Sequence, residues 1–233
     1  MRKLTKSLVL IVWNEVNGCK ADIPLLPRDA FTEVYAIDGG STDGTIEYLE
    51  SQGIPVYAQR TKSLNAAYAD AVARSRCEVV VVFFPKATID PIVVTELGRS
   101  IDMGYDLVVA SRNLPSSHNE EDEQLLKPRK WGVATLSHVT SILWRREGWR
   151  IRDVLHGVKA FTVDAYRRMQ VSGSGVTIDL EMVVRAYRLR ISRTEVPVHE
   201  QARLHGQTRF KIWPTGKRLG SFLVNEIFRA PSL

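Results

Sequence analysis

Short apolar runs rich in valine and isoleucine recur along the first half of the chain, and each has the length of a buried β-strand. They predict strands at 8–13, 33–37, 55–58, 78–84 and 106–110, with a later strand at 193–199. Helical segments lie between them at 45–52, 63–74 and 91–103, and Gly53 and Gly104 follow two of these segments as stop signals. This alternation predicts an α/β fold, in which helices flank a mostly parallel sheet.

The second half of the chain has a less regular pattern. Residues 115–123 are polar and acidic without apolar periodicity, which predicts a mobile loop, extending to about residue 127, that covers the site as a flap. Helices are predicted at 131–146 and 178–189. In the first of these helices, one stripe is expected to face the core, and it contains Leu136, Val139, Thr140, Leu143 and Trp144.

Composition narrows the class of protein. The length of 233 residues suits a single domain, and the net charge of +6 predicts an anionic partner, such as a nucleic acid, a phosphate-bearing substrate or an acidic membrane. Only Cys19 and Cys77 are present, without a Cys-x-x-Cys motif, so we expect no disulfide framework and a cytoplasmic location. No apolar run approaches the roughly 18 residues that a membrane span needs.

One glycine-rich turn carries the strongest local signal. Residues 37–45 read Ile-Asp-Gly-Gly-Ser-Thr-Asp-Gly-Thr and join a predicted strand to a predicted helix. Such a turn lies at the carboxyl edge of a parallel sheet, where open α/β folds bind ligands. Ser41 or Thr42 is suited to cap the helix and Asp43 to brace the loop. An ordinary strand-to-helix turn, with no ligand, remains the alternative.

Several ordered motifs resemble those of a known family. Residues 12–15, Val-Trp-Asn-Glu, together with residues 37–45, resemble the opening of the inverting GT-A glycosyltransferases of family 2. Residues 152–161, 178–181, 195–198 and 203–208 resemble later elements of dolichol-phosphate mannose synthases and related polyprenyl-phosphate glycosyltransferases. The resemblance spans nearly the whole chain. It implies a single GT-A domain, with a nucleotide-sugar half at 1–112 and an acceptor half at 113–233.

The resemblance also implies site residues for a nucleoside-diphosphate sugar. Trp13 and Glu15 would lie against the base and ribose, and Asp38 would hydrogen-bond the base. Ordinary packing of Trp13 and a solvated cap at Glu15 are the alternatives. The full predicted nucleotide-sugar set is Val12, Trp13, Glu15, Asp38, Gly40, Ser41, Asp43 and Asn65.

The chain departs from the family at its metal motif. The family's fourth long strand ends in Asp-x-Asp, which holds Mg²⁺ or Mn²⁺, whereas this chain has Phe84 and Lys86 at those two positions. A phenyl ring and an ammonium group supply no oxygen ligand to a hard divalent cation. We therefore predict no metal site and no resident cofactor, although use of Mg²⁺ or Mn²⁺ through other ligands stays open.

Two functions remain open at this point. In the first, Lys86 replaces the metal and steadies the leaving diphosphate, so that the chain transfers a sugar to a polyprenyl phosphate or a related acceptor. In the second, the domain binds a nucleotide-sugar but is catalytically silent. The predicted catalytic residues are Lys86, Asp153 and Lys159, with Asp153 orienting Lys159 or the acceptor, or merely capping a turn. The predicted acceptor-phosphate residues are Arg112, Lys130, Arg152, Arg203 and Arg209.

Residues 144–150 combine two tryptophans with three arginines, a composition suited to the headgroup layer of a membrane. We therefore predict peripheral association with the inner face of an anionic membrane through Arg145, Arg146 and Arg150. The same residues suit a nucleic-acid patch or an ordinary basic surface. Because aromatic residues are not interleaved with the basic ones elsewhere, no nucleic-acid partner is expected.

Overall fold

The computed structural model describes residues 3–119, 121–122, 127–172, 175–202 and 212–229. Within these residues one sheet contains seven strands, in the spatial order β3-β2-β1-β4-β6-β5-β7. The strands are β1 (Lys6–Val12), β2 (Glu33–Asp38), β3 (Val56–Ala58), β4 (Val79–Phe83), β5 (Leu107–Ser111), β6 (Lys159–Thr162) and β7 (Arg193–Pro197).

Eight helices accompany the sheet in the same described ranges. They are α1 (Val16–Asp22), α2 (Thr45–Ser51), α3 (Leu64–Arg74), α4 (Val93–Asp102), α5 (Pro128–Trp144), α6 (Val163–Met169), α7 (Ile178–Arg188) and α8 (Ile212–Phe228). Two short 3-10 turns, Ile23–Leu25 and Arg28–Ala30, lead from α1 into β2. None of these helices is both long and apolar enough to cross a membrane.

The sheet is mostly parallel, as predicted. β1 pairs in parallel with β2 and β4, β2 with β3, and β5 with β7, whereas β6 runs antiparallel between β4 and β5. The carboxyl ends of all the strands except β6 therefore lie along the same edge, which we call the carboxyl edge.

Both faces of the sheet are covered, because alternate residues of each buried strand point to opposite sides. Leu8 and Leu10 of β1 pack with residues of α1, α2 and α4 on one face. Val9 and Ile11 pack with residues of α3, α5, α6, α7 and α8 on the other face. The continuous apolar runs in the sequence are thus explained by burial on two sides.

The structure corrects the expected boundaries in several places. The predicted strand at 193–199 ends at Pro197, and the predicted helix at 131–146 occupies Pro128–Trp144. Four elements were not predicted, namely α1, β6, α6 and α8. Three of them are seven residues or shorter, too short for a hydrophobic period to stand out, and β6 begins with a buried lysine.

The predicted core stripe of α5 is partly wrong. Val139 and Leu143 are each 38% exposed, while Ser137 and Thr140 are fully buried. The Ser137 hydroxyl donates to the Ile151 carbonyl at 2.6 Å, and the Thr140 hydroxyl donates to the Leu136 carbonyl at 2.8 Å. Because hydroxyl groups satisfied in this way can be buried, the inward face of α5 is more polar than its sequence periodicity indicates.

The predicted mobile loop is described at 115–119, 121–122 and 127. There the His118 N–H donates to the Val198 carbonyl at 3.1 Å and the Glu200 N–H donates to the His118 carbonyl at 3.0 Å. These bonds attach the described part of the loop to the chain that follows β7. The remaining positions, 120 and 123–126, lie outside the described residues, and the mobility of the loop stays a prediction.

Candidate active site

Four of the predicted site residues lie at the end of, or just after, strands that end at the carboxyl edge. Trp13 follows β1, Asp38 ends β2, Lys86 lies in the turn after β4, and Arg112 follows β5. Open α/β sheets bind ligands outside this edge, because the backbone turns there expose polar groups between neighbouring strands. The topology therefore gathers residues that are widely separated in the sequence.

Asp38 holds the turn after β2 in place. One carboxylate oxygen accepts the N–H groups of Gly40 at 2.7 Å and Ser41 at 2.9 Å, and the other accepts the Ser41 hydroxyl. The side chain is buried, with 2% of its surface exposed. Gly40 has a φ of +89°, a conformation that favours glycine. The carboxylate is thus largely engaged in shaping the turn against which we predicted a base to bind.

The end of β1 is tied to the same turn by side chains that accept backbone N–H groups. The Asn14 side-chain oxygen accepts the Thr42 N–H at 2.7 Å, and the Thr45 hydroxyl accepts the Glu15 N–H at 2.9 Å. Asp43 accepts the first N–H of α1, that of Val16, at 3.1 Å. Partial burial raises the pKa of Asp43, but its bonds from Thr45 and Val16 outweigh burial and lower that pKa overall.

Trp13 presents an aromatic surface beside this turn. Its side chain is 39% exposed, and the Lys62 ammonium lies 4.0 Å from the ring centroid. A Cβ at Gly39 would lie 3.1 Å from the Trp13 Cβ, so a glycine at 39 allows this close approach. Lys62 was not predicted as a site residue, and its only sequence signal is its position shortly after β3.

The turn after β4 has an aromatic residue and a cation where the family 2 glycosyltransferases that the sequence resembles have two carboxylates. The Lys86 ammonium lies 4.8 Å from the centroid of the Phe84 ring. That ring packs against Gly157, where an added Cβ would approach a ring carbon to 2.6 Å. Neither side chain supplies an oxygen ligand, and the described ranges contain no cluster of three or more His, Cys, Asp or Glu side chains suited to a metal. These residues do not fit a divalent cation.

Helix α1 supports the turn after β4 from behind. A Cβ at Gly18 would lie 2.3 Å from the Pro85 carbonyl oxygen, so the two backbones are in direct contact. The Asp22 carboxylate accepts the Ala87 N–H at 2.9 Å, and Ala87 has a φ of +54°. Burial raises the pKa of Asp22 to about 6, although the bonds from the Ala87 and Lys86 N–H groups oppose this shift.

Arg112 lies at the end of β5 in an ionic cluster around the buried Asp153. Its guanidinium donates to both oxygens of Asp153, at 2.7 and 2.9 Å, and to Glu200 at 2.9 Å. Burial raises the pKa of Asp153, but the Arg112 charge outweighs burial and lowers that pKa to about 2. Two carboxylates thus already balance the charge of Arg112, and the predicted acceptor cation forms part of a cluster with a net charge of −1.

Of the roles considered for Asp153, the structure does not show the one in which it orients Lys159. The Lys159 ammonium, 1% exposed, donates to Asp179 at 2.6 Å, and the Tyr68 hydroxyl oxygen lies 3.3 Å from the same carboxylate oxygen. Asp153 instead orients Arg112. Asp179 lies in the quoted motif at 178–181, but the sequence alone did not indicate that it pairs with Lys159.

Glu195 connects β7 to the segment that carries Asp153. One of its oxygens accepts the N–H groups of Arg152 at 2.8 Å and Asp153 at 2.9 Å, and burial raises its pKa. Nearby, burial and the Arg112 charge lower the pKa of His156 to about 4, so this histidine is neutral at pH 7. The sequence motif at 195–198 contained Glu195 without indicating this bracing role.

Three predicted nucleotide or acceptor residues have structural roles. Asn65 is fully buried, and its side chain bonds the Ile178 N–H and the Ser172 carbonyl, both at 3.1 Å, so we assign it to the fold. Val12 is also buried and acts through its carbonyl, which accepts the Gly39 N–H at 2.9 Å. The Lys130 ammonium pairs with Asp122.

Arg152 is half-buried, and its backbone N–H contributes to the bracing by Glu195. Arg203 and Arg209 lie outside the described residues. Of the five predicted acceptor residues, the structure thus brings Arg112 to the carboxyl edge but balances its charge with carboxylates. The role of these five residues in binding a phosphate stays a prediction.

Known proteins share this architecture. Glucosyl-3-phosphoglycerate synthase from Mycobacterium tuberculosis, in complex with Mn²⁺, UDP-glucose and phosphoglyceric acid, matches the chain with a TM-score of 0.74. The match covers 98% of this chain and 82% of that one, at 16% sequence identity. A complex of the same enzyme with Mg²⁺ and UDP gives a TM-score of 0.70 at 15% identity, over 98% of this chain and 81% of that chain. This chain has the GT-A fold.

A curated protein is similar in sequence. The chain is 28% identical over 175 residues to the glycosyltransferase AglJ of Haloferax volcanii. The match covers 72% of this chain and 54% of that protein, so the chain spans about half the length of the curated relative. No protein-family model matches the chain. The matches to solved structures confirm the predicted α/β fold of GT-A type.

Proposed function

We propose that this GT-A domain is a glycosyltransferase that uses a nucleoside-diphosphate sugar. The observation that carries the proposal is the turn after β2, which is braced by Asp38 and lies beside the exposed ring of Trp13 at the carboxyl edge. The relative named glycosyltransferase and the structural neighbours with bound UDP-glucose support this choice of donor. Trp13 and Glu15 would then contact the base and ribose.

The donor diphosphate would be neutralised by lysines. Lys86 follows the strand that carries the metal ligands in the family, and Pro85 stiffens this turn by restricting φ. The contact between the Lys86 ammonium and the Phe84 ring orients the side chain without removing its charge. Lys62, above Trp13, supplies a second positive charge beside the turn after β2. Two ammonium groups at this edge would stabilise a leaving diphosphate electrostatically.

The proposed acceptor is a polyprenyl phosphate or a related phosphate-bearing molecule at an anionic membrane surface. One of its phosphate oxygens attacks the anomeric carbon, and the bond from that carbon to the diphosphate breaks with its electron pair leaving on the nucleoside diphosphate. Because the attacking oxygen is already ionised, no strong general base is needed. The enzyme must instead position two anionic groups close together. The ionic cluster of Arg112, Asp153 and Glu200 would orient this side of the site.

A second function is favoured by one observation, the absence of carboxylates at positions 84 and 86. A domain that has lost the metal motif would bind a nucleotide-sugar without transferring the sugar. Its fold would be unchanged, since fold alone does not determine activity. The two functions differ in whether sugar appears on an acceptor.

A thermal-shift panel with nucleoside diphosphates and nucleotide-sugars, run in EDTA, tests the proposal. A ligand at about 100 times its Kd is expected to stabilise the protein by about 2.7 kcal/mol. We expect Lys86→Ala to weaken binding by about 10-fold to 100-fold, because it removes a charge-assisted contact, and Lys86→Arg to preserve part of it. Lys217→Ala, which changes an exposed lysine on α8, is the matched control.

Each outcome has a distinct meaning. Absence of a shift with every nucleotide excludes both functions. Loss of binding on chelation shows that carboxylates elsewhere hold a metal, and the role given to Lys86 is then wrong. Binding that resists chelation, with no transfer of radiolabelled sugar to any polyprenyl phosphate tested, favours the silent domain.

A further inference from the structure

Helix α5 has one face in the core and an opposite face that is exposed and carries large apolar side chains. Its inward residues include Val133, Ser137 and Thr140, which are buried. On the opposite face, Trp131 is 54% exposed and Ile142 is 75% exposed. Large apolar side chains exposed together along one helix face mark a binding surface more often than isolated ones do.

The exposed residues follow the helical period. Trp131, Thr135, His138, Val139 and Ile142 are spaced so that they fall on one side of α5, and we call these five residues the outer stripe. The stripe is about 17 Å long. It contains no lysine, arginine, aspartate or glutamate, whereas exposed faces of helices in globular proteins are usually polar.

Charge around the stripe indicates what covers it. Helix α5 contains no aspartate or glutamate, and residues 127–150 include six lysines and arginines against the single acidic residue Glu147. Two of the six, Lys127 and Lys130, pair with Asp122 of the preceding loop, so the basic character around the stripe rests on the four arginines. Arg146 is exposed just past the end of the helix, and Trp149, 48% exposed, follows it. An apolar stripe with a basic surround and exposed tryptophans matches an anionic bilayer surface, where apolar groups enter the headgroup layer and cations meet the phosphates.

The direction of α5 relates this surface to the candidate site. The Lys130 N–H in the first turn of α5 donates to Glu121 at 3.0 Å, in the loop that pairs with the chain after β7 at the carboxyl edge. At the other end, the Arg193 side chain donates to the Trp149 carbonyl at 2.9 Å, and Arg193 begins β7 at the opposite edge. Helix α5 therefore runs from the site edge of the sheet to the far edge.

We propose that the outer stripe of α5 lies in the headgroup layer of an anionic bilayer. This inference deepens the proposed function, because a bilayer lying along α5 would reach the carboxyl edge, where an acceptor lipid phosphate would be used. The arginines at 145–150, which the sequence indicated as the membrane contact, lie at the end of α5 that is remote from that edge. Trp131 is the part of the surface that lies near the site.

The test compares two exposed apolar residues on different surfaces. Ile142→Glu places a carboxylate in the outer stripe, and Met103→Glu makes the same change just after α4, where Met103 is 69% exposed. Binding is measured by co-sedimentation with vesicles of phosphatidylcholine and phosphatidylglycerol. We expect Ile142→Glu to lower the partition coefficient at least tenfold and Met103→Glu to leave it within about twofold of the unchanged protein. Both variants should keep the thermal stability of the unchanged protein, since both residues are exposed.

The outcomes separate this proposal from the proposed function. Equal vesicle binding by the unchanged protein and Ile142→Glu overturns it. A dimer detected by light scattering that Ile142→Glu dissociates, without vesicle binding, assigns the stripe to a second copy of the chain and also overturns it. Nucleotide binding is measured in parallel without vesicles, so that loss of the nucleotide signal counts against the proposed function alone.

Discussion

The turns after β2 and after β4 lie at the same edge of the sheet but are held in different ways. The turn after β2 is held by its own carboxylates, Asp38 and Asp43, which accept N–H groups within the turn and from α1. The turn after β4 has no carboxylate of its own in the Phe84–Lys86 segment and is held from behind by Gly18 and Asp22 of α1. A short helix thus links the two turns.

The two turns therefore use charge differently: in the first it holds the backbone, and in the second it faces the site. In the first turn, negative charge is used to hold the backbone, and the lowered pKa of Asp43 favours its ionised form. In the second turn, the supporting carboxylate is buried behind the backbone, and the side chain beside the site carries positive charge. The second turn can thereby present Lys86, with Phe84 beneath it, to an anion.

The largest effect is expected when the carboxylate of the first turn is removed. Asp38→Ala leaves three donors without their acceptor, and we expect a loss of about 3 to 5 kcal/mol in the free energy of unfolding, measured by urea denaturation. Asp38→Asn keeps one oxygen acceptor and should lose less. Nucleotide binding should also weaken in Asp38→Ala. A stability close to that of the unchanged protein would show that water replaces the carboxylate without cost.

The second turn should be sensitive to the helix behind it. Gly18→Ala places a methyl group 2.3 Å from the Pro85 carbonyl oxygen. Because the clashing atoms belong to the backbone, relieving the overlap requires a costly backbone shift. We expect a loss of about 3 kcal/mol in the free energy of unfolding, together with weaker nucleotide binding as Lys86 shifts.

Gly132→Ala in α5 is the matched control for this variant. A Cβ at Gly132 meets nothing within 4 Å, so helix propensity alone should stabilise that variant by about 0.5 to 1 kcal/mol. If both alanine variants gain stability, the close contact between α1 and the turn after β4 does not exist in solution.

The smallest effect concerns the pH dependence of Asp22. The pKa of its carboxyl in the folded protein is raised to about 6 from 3.8, so the folded state binds this proton more tightly than the unfolded chain does. The associated stability is present below about pH 4 and is lost as the pH rises through about 6. Relative to Asp22→Asn, the unchanged protein should therefore lose about 1 to 3 kcal/mol between these limits.

Urea denaturation of both proteins at a series of pH values measures this difference. The Asp22→Asn variant keeps a side-chain oxygen to accept the Ala87 N–H, so titrating groups remote from Asp22 cancel in the comparison. The nearby Asp90, whose charge raises the pKa of Asp22, is part of the measured difference. Parallel stability curves for the two proteins would mean that Asp22 is hydrated rather than buried behind the turn.

The order of residues along the chain was enough to locate the sheet-forming segments and the glycine-rich turn. Valine-rich runs such as those in β1 and β4 are buried on both faces, and their apolar character reports that burial directly. The turn at 37–45 was recognisable because its glycines and carboxylates reflect local backbone geometry. The absence of carboxylates at Phe84 and Lys86 was likewise readable from the chain, since it is a property of residue type.

Which charges meet became clear only from the folded arrangement of the segments. Asp153 pairs with Arg112 across 41 positions, and Lys159 pairs with Asp179 rather than with Asp153. Helix α1 is only seven residues long and contains Gly18, a poor helix former, so its role emerges only when it contacts both turns. The direction in which Ile142 points is also a tertiary result, because buried hydroxyl groups on the inner face of α5 leave its apolar residues outside. Pairing and burial depend on distances between segments, and local sequence does not encode those distances.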